Sequence, residues 1–118
     1  MASLSVRVDL APGGRLGPGK IELLEKIAAL GSISAAGREM DMSYRRAWEL
    51  VEELNALFPA PLVSARSGGR HGGGTALTAL GESVVANYRA IEQAADAATR
   101  AAMAELEAEL AATPTAAE

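Results

Sequence analysis

Cysteine is absent, so no disulfide, thiol nucleophile or thiolate metal site is open to this chain. That absence suits a reducing cytoplasm. Aromatic residues make up 3% of the sequence against 49% for all hydrophobic residues, so a core has to be assembled from Leu, Ile, Val and Ala. No apolar run approaches the roughly 20 residues of a membrane-spanning helix. Residues 1–10 alternate apolar and polar side chains and lack the unbroken apolar stretch of a signal peptide. A soluble, cytoplasmic protein without membrane contact is expected. The single histidine, His71, sits in a glycine-rich stretch, a poor platform for a catalytic triad. Glu49, Glu52 and Glu53, and separately Glu105, Glu107 and Glu109, have the spacing of solvated helix faces and not of acid/base pairs. Neither catalysis nor a metal or other cofactor is expected.

Charge of one sign is also scarce where it would count. The net charge is −4, but residues 1–75 hold nine Lys/Arg against eight Asp/Glu, whereas residues 76–118 hold two against seven. The acidic surplus is therefore C-terminal, and a local basic face governs phosphate contact more than the whole-chain balance.

Residues 3–10 place Leu4, Val6, Val8 and Leu10 at a period of two, which predicts a half-buried strand. Residues 11–19, with Pro12, Gly13, Gly14, Gly17, Pro18 and Gly19, read as a loop. A helix follows from Pro18 or Lys20 to Leu30, with Ile21, Leu24, Ile27, Ala28 and Leu30 as its stripe and Gly31 as its stop. Ser32 or Ser34 caps a short second helix ending near Met40. After the turn 41–43, Ser43 caps a third helix running to about Leu57, with Ala47, Leu50, Val51, Leu54 and Leu57 buried. Pro59 and Pro61 end it. Strands at 62–66 and 75–78 then flank a tip with five glycines, a β-hairpin wing. From Ala79 to about Leu110 one long helix is predicted, about 48 Å at 1.5 Å per residue. Its apolar positions 84, 88, 91, 95, 98 and 102 keep heptad spacing. Residues 113–118 read as a frayed tail. The fold class is mainly α with a small β wing: a winged helix-turn-helix over residues 1–78, then a helix over 79–112, then the tail 113–118. A third helix after a three-residue turn stands where a helix-turn-helix keeps its recognition helix.

The stretch Gly31 to Trp48, with Ser43-Tyr44-Arg45-Arg46-Ala47-Trp48, the run Gly68-Gly69-Arg70-His71-Gly72-Gly73-Gly74, and Leu77-Thr78 leading to Gly81, resembles the N-terminal DNA-binding domain of ModE-type, molybdate-responsive transcription regulators. It is less closely similar to the helix-turn-helix of LysR-type regulators, which usually carry Gln-Pro where this chain has Tyr44-Arg45. The resemblance spans about residues 3–92 and implies a dimeric, promoter-binding domain. ModE-type regulators carry further C-terminal domains that bind molybdate. A chain stopping at Glu118 is similar to one-domain forms, and tight molybdate binding by this chain itself is not expected.

The residues themselves point the same way. Tyr44, Arg45 and Arg46 open the third helix, where arginine matches the O6/N7 edge of guanine or a phosphate. Tyr44 has equally the spacing of a buried ring with Ala47 and Val51. Ser43 is a helix cap whose backbone N–H would meet a phosphate. Trp48 is read first as a packing residue, with contact to a DNA sugar or thymine methyl as its other role. Ser34 and Arg38 are candidates for phosphate contact. In the wing, Arg66, Arg70 and His71 suit the minor groove or phosphates, since glycine allows close backbone approach; a loop without any ligand is the duller reading. A nucleotide-phosphate loop is set aside because Thr75 stands where its lysine is required. The apolar stripe of the long helix exceeds what one small domain covers. A homodimer resting on Val84, Val85, Tyr88, Ile91, Met103, Leu106 and Leu110 is therefore expected. The function expected is a homodimeric regulator that binds double-stranded DNA at a palindromic promoter site. The rival is a winged-helix protein-interaction module that no longer binds DNA.

Overall fold

Pro18 and Gly31 bracket the helix around which the rest of the molecule packs. In the computed structural model, which describes residues 2–10, 12–69 and 72–112, α1 spans Pro18–Leu30. Proline stands at its start, where a missing N–H costs nothing. Gly31 closes it with φ 70°, a left-handed conformation natural to glycine, and donates its N–H to the Ile27 carbonyl at 2.8 Å. Ile21, Leu23, Leu24 and Ile27 on this helix are wholly buried. At about 1.5–3 kcal/mol for each fully buried side chain, α1 is the pillar of the core. Leu23 joins the buried face, whereas Ala28 and Leu30, expected there, are exposed.

Ahead of α1 the chain makes a β-hairpin of β1 (Val8–Leu10) and β2 (Gly14–Leu16), paired antiparallel with Val8 opposite Leu16. This corrects the expected long strand at 3–10 followed by plain loop. Gly13 donates to the Leu10 carbonyl at 2.8 Å and has φ 143°, so a tight turn returns the chain inside the glycine-rich stretch. Val6, Val8 and Leu10 pack on the edge of the core, as their alternation requires.

α2 (Ile33–Glu39) is capped by Ser32, whose Oγ accepts from the Ala35 N–H at 3.0 Å. α3 (Tyr44–Leu57) is capped in the same way by Ser43, accepting from Arg46 at 3.0 Å. Ala47, Leu50, Val51 and Leu54 of α3 are buried as the 3.6-residue period predicts. The wing strands β3 (Val63–Gly69) and β4 (Gly72–Leu77) are longer than expected and carry an irregularity between Arg66 and Gly69. At the wing's base the Thr75 N–H donates to the Gly31 carbonyl at 3.0 Å, tying β4 to the end of α1.

The expected single long helix is divided into α4 (Ala79–Ala98) and α5 (Arg100–Ala112). Thr99 interrupts it. Its hydroxyl donates to the Ala95 carbonyl at 2.8 Å, the acceptor that its own N–H also uses at 3.0 Å. Back-bonding of this kind distorts a helix locally. Thr78 caps α4, accepting from Gly81 at 3.0 Å and donating to the Pro61 carbonyl at 2.8 Å. Among the described residues no helix is long and apolar enough to cross a membrane.

Candidate nucleic-acid interface

A helix can present its first turn to a ligand only if the preceding turn is held rigidly. Between α2 and α3 the Asp41 and Met42 N–H groups donate to the carbonyls of Arg38 (3.1 Å) and Gly37 (3.0 Å). Asp41 adopts φ 58°, a conformation that aspartate tolerates better than most side chains. Gly37 is buried against Ala47: a Cβ added there would stand 2.9 Å from the Ala47 Cβ. The two helices thus cross at a distance that only glycine permits.

This frame presents Tyr44, Arg45, Arg46, Trp48 and Glu49 on the surface. Tyr44 is 57% exposed and Trp48 40%, and their rings meet edge to face with centroids 6.2 Å apart. Both rings lie outside the buried core of the domain. Arg45 and Arg46 share one carboxylate: Nε of Arg45 lies 3.5 Å, and Nη1 of Arg46 3.4 Å, from the two oxygens of Glu49. Exposed pairs of this kind contribute about 0–1 kcal/mol, so a phosphate or a guanine edge could replace Glu49 at little cost. Ser43 and Arg38 are exposed and Ser34 half-buried; Arg38 donates to the Ser34 hydroxyl at 3.5 Å.

In the wing, Arg66 is exposed and its guanidinium lies over the backbone of Gly31 and Gly74, where a Cβ on Gly31 would stand 2.9 Å from it. Arg70 and His71, the other wing candidates, lie outside the described residues. Of the side chains expected to join two copies, Val84 and Tyr88 are buried in this domain's own core and Val85 packs against it. Tyr88 is held further by its hydroxyl, which donates to the Val6 carbonyl at 2.5 Å. Val84 and Tyr88 are thus buried within the monomer, while Val85 is half-buried against its core. Ile91, Leu106 and Leu110 are exposed and Met103 is half-buried.

Several residues that fix the site carried no sequence signal of that role. Asn55, on the rear of α3, accepts from the N–H groups of Leu62 and Val63 at 2.8 and 3.0 Å and donates to the Val63 carbonyl at 3.2 Å. It latches α3 to the start of the wing. An asparagine late in an amphipathic helix, just before a proline pair, is the only trace of this in the sequence. Arg89 ties α4 to α1 through Glu25 and also donates to Glu92 at 2.6 Å. Among the described residues no polar or charged side chain is buried, and no cluster of His, Asp and Glu has metal-binding geometry.

The family described as bacterial regulatory helix-turn-helix protein, lysR family, matches residues 19–82, more than half of the chain. The chain is 49% identical over 80 residues to the molybdenum-pterin-binding protein MopB of Rhodobacter capsulatus, covering 68% of this chain and 30% of that protein. It is 44% identical over 92 residues to the molybdenum transport protein ModE of Azotobacter vinelandii, covering 78% and 33%. It is 38% identical over 76 residues to the DNA-binding transcriptional dual regulator ModE of Escherichia coli K12, covering 64% and 29%. The matched stretch is thus about a third of the length of these relatives.

Proposed function

The chain belongs to the lysR family of bacterial regulatory helix-turn-helix proteins, and on that premise we propose that it is a DNA-binding transcription regulator acting in the cytoplasm as a homodimer. Residues 1–78 form the reading domain and 79–112 the pairing helices. The first turn of α3 enters the major groove, with Arg45 and Arg46 at base edges or phosphates and Tyr44 and Trp48 against the apolar groove wall. Ser34, Arg38 and Ser43 meet backbone phosphates, and Arg66, Arg70 and His71 of the wing hold flanking backbone. The single observation that carries this reading is the exposed set Tyr44, Arg45, Arg46 and Trp48 on a helix braced by the Gly37–Ala47 contact. Ile91, Leu106 and Leu110, left uncovered on α4 and α5, support the pairing. Two-fold symmetry then calls for a palindromic site with half-sites one helical turn, or a multiple of it, apart.

Selection of bound sequences from random duplexes is the test. An enriched palindrome, with affinity lost in the Arg45→Ala, Arg46→Ala double variant, supports the proposal. A double variant that melts like the parent and binds the selected site equally well overturns it in favour of a protein-interaction module.

A further inference from the structure

Beside the reading helix runs a cleft of about 360 Å³ whose charged lining is entirely basic: Arg7 ahead of β1, Arg15 on β2, Lys20 in the first turn of α1 and Arg46 on α3. These four residues are scattered over forty positions of sequence, and only the fold brings them together. Leu50 and Met42 form part of its apolar floor, and no acidic residue stands in the first turn of α1. Three of the cations have acidic partners outside the cleft lining: Arg7 with Asp9 (2.9 Å), Lys20 with Glu53 (3.2 Å) and Arg46 with Glu49 (3.4 Å). Arg15 is exposed, and no carboxylate lies within ion-pair distance of it among the described residues. The Arg7, Asp9 and Arg46 side chains are more than half exposed, and Glu53 is 52% exposed. The exposed Arg7–Asp9 and Arg46–Glu49 pairs hold weakly in water, so a polyanion exchanges with them readily, whereas Lys20, 20% exposed, is the more enclosed cation.

We infer that this cleft is a second backbone contact, binding DNA phosphates on the side of α3 away from the wing. The placement carries the choice of ligand. Asn55 ties one flank of α3 to β3 of the wing, whereas Lys20–Glu53 ties the opposite flank to α1 and the β1–β2 hairpin. Arg46 belongs at once to the cleft and to the exposed first turn of α3. A duplex receiving that turn in its major groove has two phosphate walls; the wing stands toward one and the basic hairpin toward the other. The inference rests on the DNA-binding reading above and adds to it Arg7, Arg15 and Lys20. Their task is affinity and register and not base choice.

The test uses the full chain and the duplex selected by it, titrated across a salt series for the parent, Arg7→Ala, Arg15→Ala, the double variant, and Arg100→Ala as a control at the far end of the molecule. Each lost phosphate contact should lower the slope of log affinity against log salt by about 0.9 per subunit. Binding to selected and scrambled duplexes should weaken by the same factor, with the base preference unchanged. Neutral methylphosphonate linkages placed one at a time should weaken the parent at phosphates on the side away from the wing, and should weaken the double variant less, since only Lys20 and Arg46 of the cleft then remain. If the parent binds its site but the double variant keeps the parent's slope, or if no such phosphate is found, the cleft is not a contact and the reading by α3 still stands. If the parent selects no duplex, both readings fall. Thermal melts of Arg7→Ala and Arg15→Ala should match the parent, since both side chains are exposed.

Discussion

Arg89 grips both carboxylate oxygens of Glu25, with its Nη2 2.7 Å from Oε1 and its Nε 3.0 Å from Oε2. The hydrogen bonds from Arg89 hold the Glu25 carboxyl below the usual glutamate value of 4.5, against an opposing push from burial, and Lys26 adds a smaller pull. The folded protein therefore binds fewer protons at Glu25 than the unfolded chain does between its lowered pKa and 4.5. The stabilisation is fully present above that upper limit and fades as pH falls through the folded value. Both side chains are about one-third exposed, which limits the pair to about 1 kcal/mol. Glu25→Gln should melt below the parent at neutral pH, and the two melting curves should converge on acidification below pH 4.5. A gap that stays constant with pH would contradict this account.

The Asn55 latch should be worth more than any single surface pair. Asn55→Ala leaves two N–H groups and one carbonyl of residues 62 and 63 without their partner, and Leu62 and Val63 are buried. A loss of about 2–3 kcal/mol is expected in urea unfolding. Asn55→Asp can still accept both N–H bonds but cannot donate to Val63, and should fall between the two.

The exposed rings of Tyr44 and Trp48 set a test of chemistry within the proposed groove contact. Replacing thymine by deoxyuridine removes one methyl and leaves every hydrogen-bonding group in place. At the position facing Trp48 the parent should bind about four-fold more weakly. Trp48→Ala should bind both duplexes alike. Equal binding of both duplexes by the parent at every thymine would show that the rings touch sugar or backbone instead.

Pairing through α4 and α5 can be separated from folding because the residues involved are exposed. Ile91→Glu with Leu106→Glu replaces side chains that are 47% and 59% exposed, so helix content and the melting of the reading domain should hold. Sedimentation at about 20 μM should show a dimer for the parent and a monomer for the double variant. A monomeric parent would remove the dimer from the proposal. Tyr88→Phe should behave differently, costing about 1 kcal/mol of domain stability while leaving association intact.

Local chemistry was legible wherever one residue determines one turn. Ser32, Ser43 and Gly31 announced the ends of α1, α2 and α3, because a cap is made by atoms a few residues apart. The β1–β2 hairpin was hidden because its turn lies in a stretch so rich in proline and glycine that no position stands out. Thr99 was missed for the opposite reason: an alanine-rich helix with no proline, and with its one glycine, Gly81, back in the first turn, gives no cue that a hydroxyl will compete for a backbone carbonyl. Heptad spacing correctly grouped Val84 and Tyr88 on one face. It could not tell a face turned to the molecule's own core from one turned to a partner, since both select the same apolar side chains. Arg89 with Glu25, and the cations of the hairpin cleft, depend on contacts distant in sequence, where only the assembled fold selects the partner.

The bond from Thr75 to the Gly31 carbonyl joins the returning wing strand to the same residue that closes α1. In a complex that used both α3 and the wing, the gap between the two contacts would be set by the protein at the wing's base. The softer body is then the duplex. DNA bends most readily at pyrimidine–purine steps, so base pairs between the two contacts would influence affinity through their stiffness. Selected sites should accordingly favour flexible steps at positions that no side chain touches.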